Sequence, residues 1–213
     1  MMQRLRQEKF VALFRRLTLE QSKRVCQALF KGGVRLIEVT FDPSDDATIE
    51  KTTAILNAIR EEYGDEVDLL AGTVVKPEYV VPAKQAGAKM IVAPNTDEQI
   101  IRLTYENGML SAPGAFTPTE IVHAHNLGAD IVKIYPIEPH NIAYLKNILS
   151  PLSHIKFMAT GGVNPQTAPE FIKLGATAVG AGASIITPQA LADNDWAQIE
   201  RNARLHVEAV KNI

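Results

Sequence analysis

Eight short apolar runs recur along the chain, and each is followed by a stretch with the residue spacing of a helix. The runs occupy residues 10–14, 35–41, 67–72, 89–94, 109–114, 130–136, 155–162 and 177–182. Short runs of apolar and β-branched residues bounded by Gly, Pro or Asp are typical of strands buried on both faces of a parallel sheet. The segments between them place apolar residues three and four apart and carry Gly near their ends, as amphipathic helices do.

Eight strand–helix repeats in 213 residues predict the fold class α/β, and within it a (β/α)8 TIM barrel. Barrels of this kind commonly form one domain of about 200–250 residues, so we expect residues 1–213 to be a single barrel domain with a short N-terminal helix. A long final helix is expected from Ala190 to about Val210. An open doubly wound sheet stays possible, because hydrophobic periodicity does not show whether a sheet closes.

Charge and composition narrow the class of function. The formal net charge is −2, without the basic excess that marks most nucleic-acid-binding proteins. No apolar run approaches the roughly 18 residues of a membrane span, and the first residues lack the apolar core of a secretory signal, which predicts a cytoplasmic protein. Cys26 is the only cysteine, so we expect it to pack in the core. Together these features favour a protein that acts on a small molecule.

Lys133 is the most informative polar residue, because it interrupts the apolar run DIVKIYP (130–136). Alternation along a strand places Lys133 and Tyr135 on one face, which we expect to point into the barrel. Burial disfavours the ammonium form of a lysine, and a neutral amine is the nucleophile that condenses with a ketone. A buried ion pair of purely structural use is the alternative.

Glu38 has the same placement in the run RLIEVTF (35–41). A buried carboxyl group can serve as general acid or base near neutral pH, so Glu38 and Lys133 together would supply a proton shuttle and an imine former. Neutralisation of Lys133 is the alternative role of Glu38. The sequence does not separate these two interpretations.

Two Gly-rich segments end successive late strands, ATGGV (159–163) and GAGAS (180–184). Glycine lets backbone N–H groups approach a ligand, and this end of a barrel is a recurrent phosphate site. The residues expected to contact substrate or its phosphate are Pro94, Tyr135, Thr160, Gly161, Gly162, Gly182, Ala183 and Ser184. The five histidines, among them His140 and His206, have no metal-ligand spacing, so we expect packing or surface roles, no metal and no cofactor.

Five segments in this order and spacing resemble a known family: GGVRLIEVTF, GTVVKPE, PGAFTPTE, VKIYP and TGGVNP. They are similar to the bacterial 2-keto-3-deoxy-6-phosphogluconate / 4-hydroxy-2-oxoglutarate aldolases, from about Phe10 to Ser184. The resemblance implies a metal-independent class I aldolase that cleaves a 2-keto-4-hydroxy acid, a phosphorylated form of that acid as substrate, and a homotrimer. It places the Schiff-base lysine at Lys133 and the general acid/base at Glu38.

The same resemblance places the contacts to the substrate carboxylate at Arg15 and Thr73, and the border of the phosphate end at 160–162. Two positions depart from the family pattern. Asp42 stands where members carry Arg or Thr, so either its carboxylate points away from the site or the accepted substrate differs. Gly182-Ala183-Ser184 replaces the usual Gly-Ser, which puts a hydroxyl contact to phosphate in doubt.

Two other functions are compatible with parts of this pattern. A phosphosugar isomerase or epimerase on the same barrel would use the phosphate loops alone. A phosphometabolite-binding protein without turnover would be consistent with Asp42 and Ala183.

Overall fold

The computed structural model describes residues 1–137, 142–211 and 213. Within these residues nine strands form one parallel sheet in the order β5-β4-β3-β2-β1-β9-β8-β7-β6. The strands are β1 (Phe10–Phe14), β2 (Leu36–Thr40), β3 (Asp68–Gly72), β4 (Met90–Val92), β5 (Leu110–Ala112), β6 (Gly114–Ala115), β7 (Val132–Ile134), β8 (Phe157–Thr160) and β9 (Ala178–Ala181).

The sheet is a nearly closed barrel, because its first strand pairs with its last. β1 hydrogen-bonds β2 on one side and β9 on the other. At the far side of the barrel β5 pairs with β4 and β6 pairs with β7. Only Pro113, which has no N–H to donate, separates β5 from β6. All eight predicted strands are confirmed, with the fifth in two pieces, and the open-sheet alternative is wrong.

Helices follow the strands around the outside. They are α1 (Met2–Glu8), α2 (Leu19–Lys31), α3 (Thr48–Tyr63), α4 (Val80–Gln85), α5 (Glu98–Glu106), α6 (Pro118–Asn126), α7 (Ile142–Leu149), α8 (Ala168–Lys173), α9 (Pro188–Ala192) and α10 (Trp196–Lys211), with 3₁₀ turns at Gly64–Glu66 and Pro77–Tyr79. The prediction of a single final helix is wrong. It divides into α9 and α10 at Asn194, whose φ of 54° does not continue a helix.

Alternation along the strands produces two apolar layers. Outward-facing residues such as Ile37 and Val132 pack under the helices, and Cys26 of α2 is fully buried among them, as predicted. Inward-facing residues such as Leu36 and Ile131 fill the lower barrel together with Leu5 of α1, which closes the bottom. Each such side chain contributes about 1.5–3 kcal/mol by its burial.

The filled lower layer leaves the upper interior for polar groups. Glu38 and Lys133 lie two residues above Leu36 and Ile131 on the same inward face, so both point into the barrel as predicted. None of the helices described above is long and apolar enough to cross a membrane.

Candidate active site

A cavity of about 620 Å³ opens at the carboxyl ends of β1, β7, β8 and β9. Nine of the residues predicted to touch substrate line it, namely Arg15, Lys133, Tyr135, Thr160, Gly161, Gly162, Gly182, Ala183 and Ser184. Residues that the sequence did not single out complete the wall, namely Leu13, Phe14, Leu17, Val163, Asn164, Gly180, Ala181, Ile186 and Leu191. The cavity therefore combines one lysine, one arginine, Gly-rich backbone and an apolar side.

Lys133 lies at the inner end of this cavity and is 2% exposed. Burial lowers the pKa of its ammonium group, the Glu38 carboxylate opposes that shift, and the Arg15 guanidinium adds to it. The ring centroid of Tyr135 lies 5.0 Å from Nζ. A lysine held in this way carries more neutral amine near physiological pH than an exposed lysine does.

Glu38 is fully buried on β2, and it is close enough to act on the pKa of Lys133. Neither carboxylate oxygen has a hydrogen-bond partner among the described residues. No hydrogen bond to a described residue, Lys133 included, engages the carboxylate, although its charge still favours the ammonium form of Lys133. A buried carboxylate without partners is costly, so it calls for an explanation beyond packing.

Thr160 also has a buried hydroxyl without a partner in the described part of the chain. It ends β8 and lines the cavity, so this hydroxyl is available to a ligand. Arg15 follows β1 and is exposed at the mouth. No acidic side chain among residues 1–137, 142–211 and 213 forms an ion pair with Arg15. Its guanidinium is suited to a carboxylate or phosphate.

The two Gly-rich loops meet at the outer end of the cavity. Gly161 and Gly162 have φ of 95° and 63°, a left-handed conformation that glycine adopts without steric penalty. The Ser184 hydroxyl lies 2.9 Å from the Val163 carbonyl oxygen and 2.9 Å from His206 Nε2. The hydroxyl is thus engaged with protein groups, while residues 182–184 line the cavity.

His206 packs inside the molecule, as predicted for the histidines. Its ring centroid is 5.3 Å from that of Phe10, and burial lowers its pKa. Nδ1 lies 2.7 Å from the Asn202 carbonyl oxygen, which can only accept, so Nδ1 carries a proton, and Nε2 lies within hydrogen-bond distance of the Ser184 hydroxyl. His140 lies outside the described residues. Across the described chain, no three His, Cys, Asp or Glu side chains cluster as metal ligands would.

Three predicted site residues, Glu38, Thr73 and Pro94, are not among the residues that line the cavity, although Glu38 lies on β2 and the other two follow strands that end at the same mouth. Thr73 has a φ of 56°, which costs a β-branched residue about 1–3 kcal/mol and is typical of functional segments. Pro94 lies against Gly114, where a Cβ would come within 2.8 Å of the neighbouring Ala93 carbonyl oxygen.

Asp42 lies outside the cavity that holds Lys133. It lines a separate cavity of about 540 Å³ between β1, β2 and α3, together with Arg16. The Ser44 hydroxyl and N–H, followed by Arg16, lower the pKa of its carboxyl group. Of the two possibilities left by the sequence, the carboxylate points away from the site.

Some lining residues carried a signal that the sequence analysis did not use. Val163 and Gly180 belong to the two Gly-rich segments, and Asn164 directly follows the first of them. Leu17, Ile186 and Leu191 are single apolar residues in loops and in α9, and only the folded chain brings them to the cavity.

Comparison with known proteins agrees with this geometry. The family model "KDPG and KHG aldolase" matches residues 1–202. The chain is 31% identical to the 2-dehydro-3-deoxy-6-phosphogalactonate aldolase of Escherichia coli strain K12, over 82% of this chain and 83% of that protein. It is 28% identical to the KHG/KDPG aldolase of the same organism, over 91% and 88%.

The fold comparison agrees with the sequence comparison. A solved structure described as native KDPGal superposes with a TM-score of 0.81 at 29% identity, covering 94% of this chain and 93% of that one. Expectations of the family and of an aldolase fold are thus confirmed. The chain belongs to the KDPG and KHG aldolase family and is an aldolase, a lyase.

Proposed function

We propose that the protein is a class I aldolase that reversibly cleaves a 2-keto-4-hydroxy acid through an imine on Lys133. The favoured reactions are 2-keto-3-deoxy-6-phosphogluconate to pyruvate and glyceraldehyde 3-phosphate, and 4-hydroxy-2-oxoglutarate to pyruvate and glyoxylate. The observation that carries the proposal is a buried lysine of lowered pKa that lines the cavity at the barrel mouth.

The first half of the reaction forms the electron sink. The neutral Nζ of Lys133 adds to the C2 carbonyl to give a carbinolamine, and loss of one water gives an iminium. Removal of the C4 hydroxyl proton then breaks the C3–C4 bond, whose electrons flow to the iminium nitrogen. The aldehyde leaves, and an enamine remains on Lys133.

The second half of the reaction regenerates the free enzyme. The enamine takes a proton at C3, and one water hydrolyses the resulting iminium to pyruvate and free Lys133, which balances the water lost earlier. Glu38 is the residue we assign to these proton transfers. Its two oxygens are buried, have no partner among the described residues, and lie on the same inward face as Lys133.

Arg15 is the residue we assign to the substrate carboxylate, because it lines the cavity and no described acidic side chain pairs with it. Thr73 is the second assigned contact, at the end of β3. At the outer end, the backbone of 161–162 and 182–184 is suited to phosphate. Because one relative is named for phosphogalactonate, the C4 epimer 2-keto-3-deoxy-6-phosphogalactonate is a further candidate substrate.

The experiment that tests this function is the intact mass of the protein after incubation with pyruvate and sodium borohydride, followed by peptide mapping. We expect one reduced pyruvyl adduct on Lys133, and pyruvate release from at least one of the three candidate acids. Absence of the adduct in folded protein would contradict the proposal. Sugar-phosphate epimerisation without pyruvate release would indicate the isomerase, and tight binding without turnover would indicate a binding protein.

The proposal extends to the assembly, a homotrimer as the family resemblance implies. Sedimentation equilibrium that gives a monomer would contradict it. The cytoplasmic location expected from the sequence stays a prediction.

A further inference from the structure

Gly72, the last residue of β3, lies directly against the side chain of Glu38. A Cβ built on Gly72 would come 2.7 Å from both Cγ and Cδ of Glu38, and closer still to Oε1. These three atoms are its three nearest neighbours. A side chain at position 72 and the present position of the Glu38 carboxylate therefore exclude each other.

The backbone at Gly72 does not itself require glycine. Its φ lies outside the left-handed region, unlike that of Gly161 or Gly162, and it pairs as an ordinary strand residue opposite Thr40. An alanine there would be conformationally acceptable. The Glu38 side chain is thus the feature of the structure that excludes one.

The sheet register gives this contact a direction. Glu38 is directly opposite Leu70 on β3, and Gly72 lies two residues further toward the mouth of the barrel. The Glu38 side chain therefore leans across the missing side chain toward the end at which the cavity opens. No hydrogen bond to a described residue holds the carboxylate there, so the space above Gly72 decides where it lies.

We infer that Gly72 is a positioning residue for the proton shuttle, holding the Glu38 carboxylate near the mouth by leaving room for it. This inference rests on the proposed function. It separates the two chemical steps, because the three atoms nearest to a Cβ at Gly72 all belong to Glu38. Loss of the space should impair proton transfer while imine formation continues.

The test is Gly72→Ala, read by three measurements. We expect borohydride trapping of pyruvate on Lys133, measured at the optimal pH of each protein, to change by less than about threefold, because Lys133 itself is unchanged. We expect kcat, and the exchange of pyruvate C3 protons for deuterium, to fall by about tenfold or more, since a positioned acid–base group contributes about 10²–10⁴-fold. Circular dichroism should show the barrel intact, because rotation of the flexible Glu38 side chain relieves the overlap.

A double-mutant cycle distinguishes positioning from general damage. In a Glu38→Ala background the same Gly72→Ala change should alter the residual rate by less than about twofold. Glu38→Asp, which is shorter by one methylene, should restore part of the rate to Gly72→Ala. The matched control is Gly32→Ala, at the C-terminal end of α2, where a Cβ would overlap Ala203 of α10. This control should lower stability without changing the ratio of exchange to trapping.

The outcomes separate the two proposals. Wild-type protein that traps no pyruvate would overturn the proposed function and the positioning role with it. Wild-type protein that turns over while Gly72→Ala acts additively with Glu38→Ala, or loses trapping and exchange equally, would overturn the positioning role alone.

Discussion

The guanidinium of Arg16 pairs with the carboxylate of Asp42, with 2.7 Å between Nε and Oδ2. Arg16 has a φ of 53°, so the chain turns sharply after β1 and sends two adjacent arginines to different cavities. Arg15 lines the cavity of Lys133, and Arg16 lines the neighbouring one. The carboxylate that would repel an anionic substrate if it pointed inward is thus neutralised outside the site.

Asp42→Asn tests this arrangement. Because the carboxylate is already paired and outside the cavity, we expect KM for the candidate phosphorylated acids to change by less than about threefold. The Arg16 side chain is 74% exposed, so water screens the pair and the free energy of unfolding should change little. Steady-state kinetics and urea unfolding measure both. A KM that drops strongly would show that Asp42 repels substrate after all.

The charges around Lys133 predict opposite pH shifts for two variants. Arg15→Gln removes a neighbour that lowers the pKa of Lys133, so the pKa should rise and imine formation should require higher pH. Glu38→Gln removes a neighbour that raises this pKa, so the profile should move to lower pH. The measurement is the rate of imine formation at saturating pyruvate against pH. Shifts of the same sign in both variants would contradict the assignment.

Lys133→Met should abolish adduct formation and stabilise the fold. Because burial lowers the pKa of Lys133 below its ordinary value of 10.5, the unfolded chain binds a proton that the folded chain holds less tightly. Wild-type stability therefore falls as the pH decreases from 10.5 toward the lowered value. Methionine removes this penalty, which is about 1 kcal/mol or more for buried charges replaced by apolar groups.

Thermal unfolding at two pH values measures the effect. We expect the gain in melting temperature to be larger at neutral pH than at pH above the ordinary lysine value, and to be about 2–4 °C for each kcal/mol. A variant that is less stable than wild type at neutral pH would show that the attraction between Lys133 and Glu38 outweighs the burial penalty.

Ser184→Ala separates a structural hydroxyl from a phosphate ligand. The hydroxyl lies within hydrogen-bond distance of Val163 and His206, so its removal should lower the free energy of unfolding by about 1 kcal/mol or more. With phosphate bound by backbone amides, KM for a phosphorylated acid should change by less than about threefold. An unchanged melting temperature with a KM raised by an order of magnitude would assign the hydroxyl to phosphate.

Local patterns were sufficient for most of the fold. The apolar runs located every strand, because a strand buried on both faces needs an unbroken apolar stretch. The capping box at Thr117 and Glu120, which starts α6, is likewise a local feature and was readable from the sequence. The break between α9 and α10 was missed, since the left-handed residue Asn194 interrupts an otherwise helical pattern.

The alternation of side chains along β2 and β7 also predicts that Glu38 and Lys133 lie inside the barrel, because this alternation is a property of the strand itself. The alternation does not predict that Glu38 has no hydrogen-bond partner among the described residues, or that Arg16 neutralises Asp42. Both depend on side chains that come from different strands and loops.

The sequence by itself determined the eight repeats, the inward face of each strand, and the residue types at the barrel mouth. Tertiary structure alone decided that β1 meets β9, that Ser184 turns to His206, and that Gly72 makes room for Glu38. The physical reason is the separation along the chain over which each interaction acts. Periodicity and capping act between residues a few positions apart, whereas closure, ion pairing and steric exclusion join residues that only folding brings into contact.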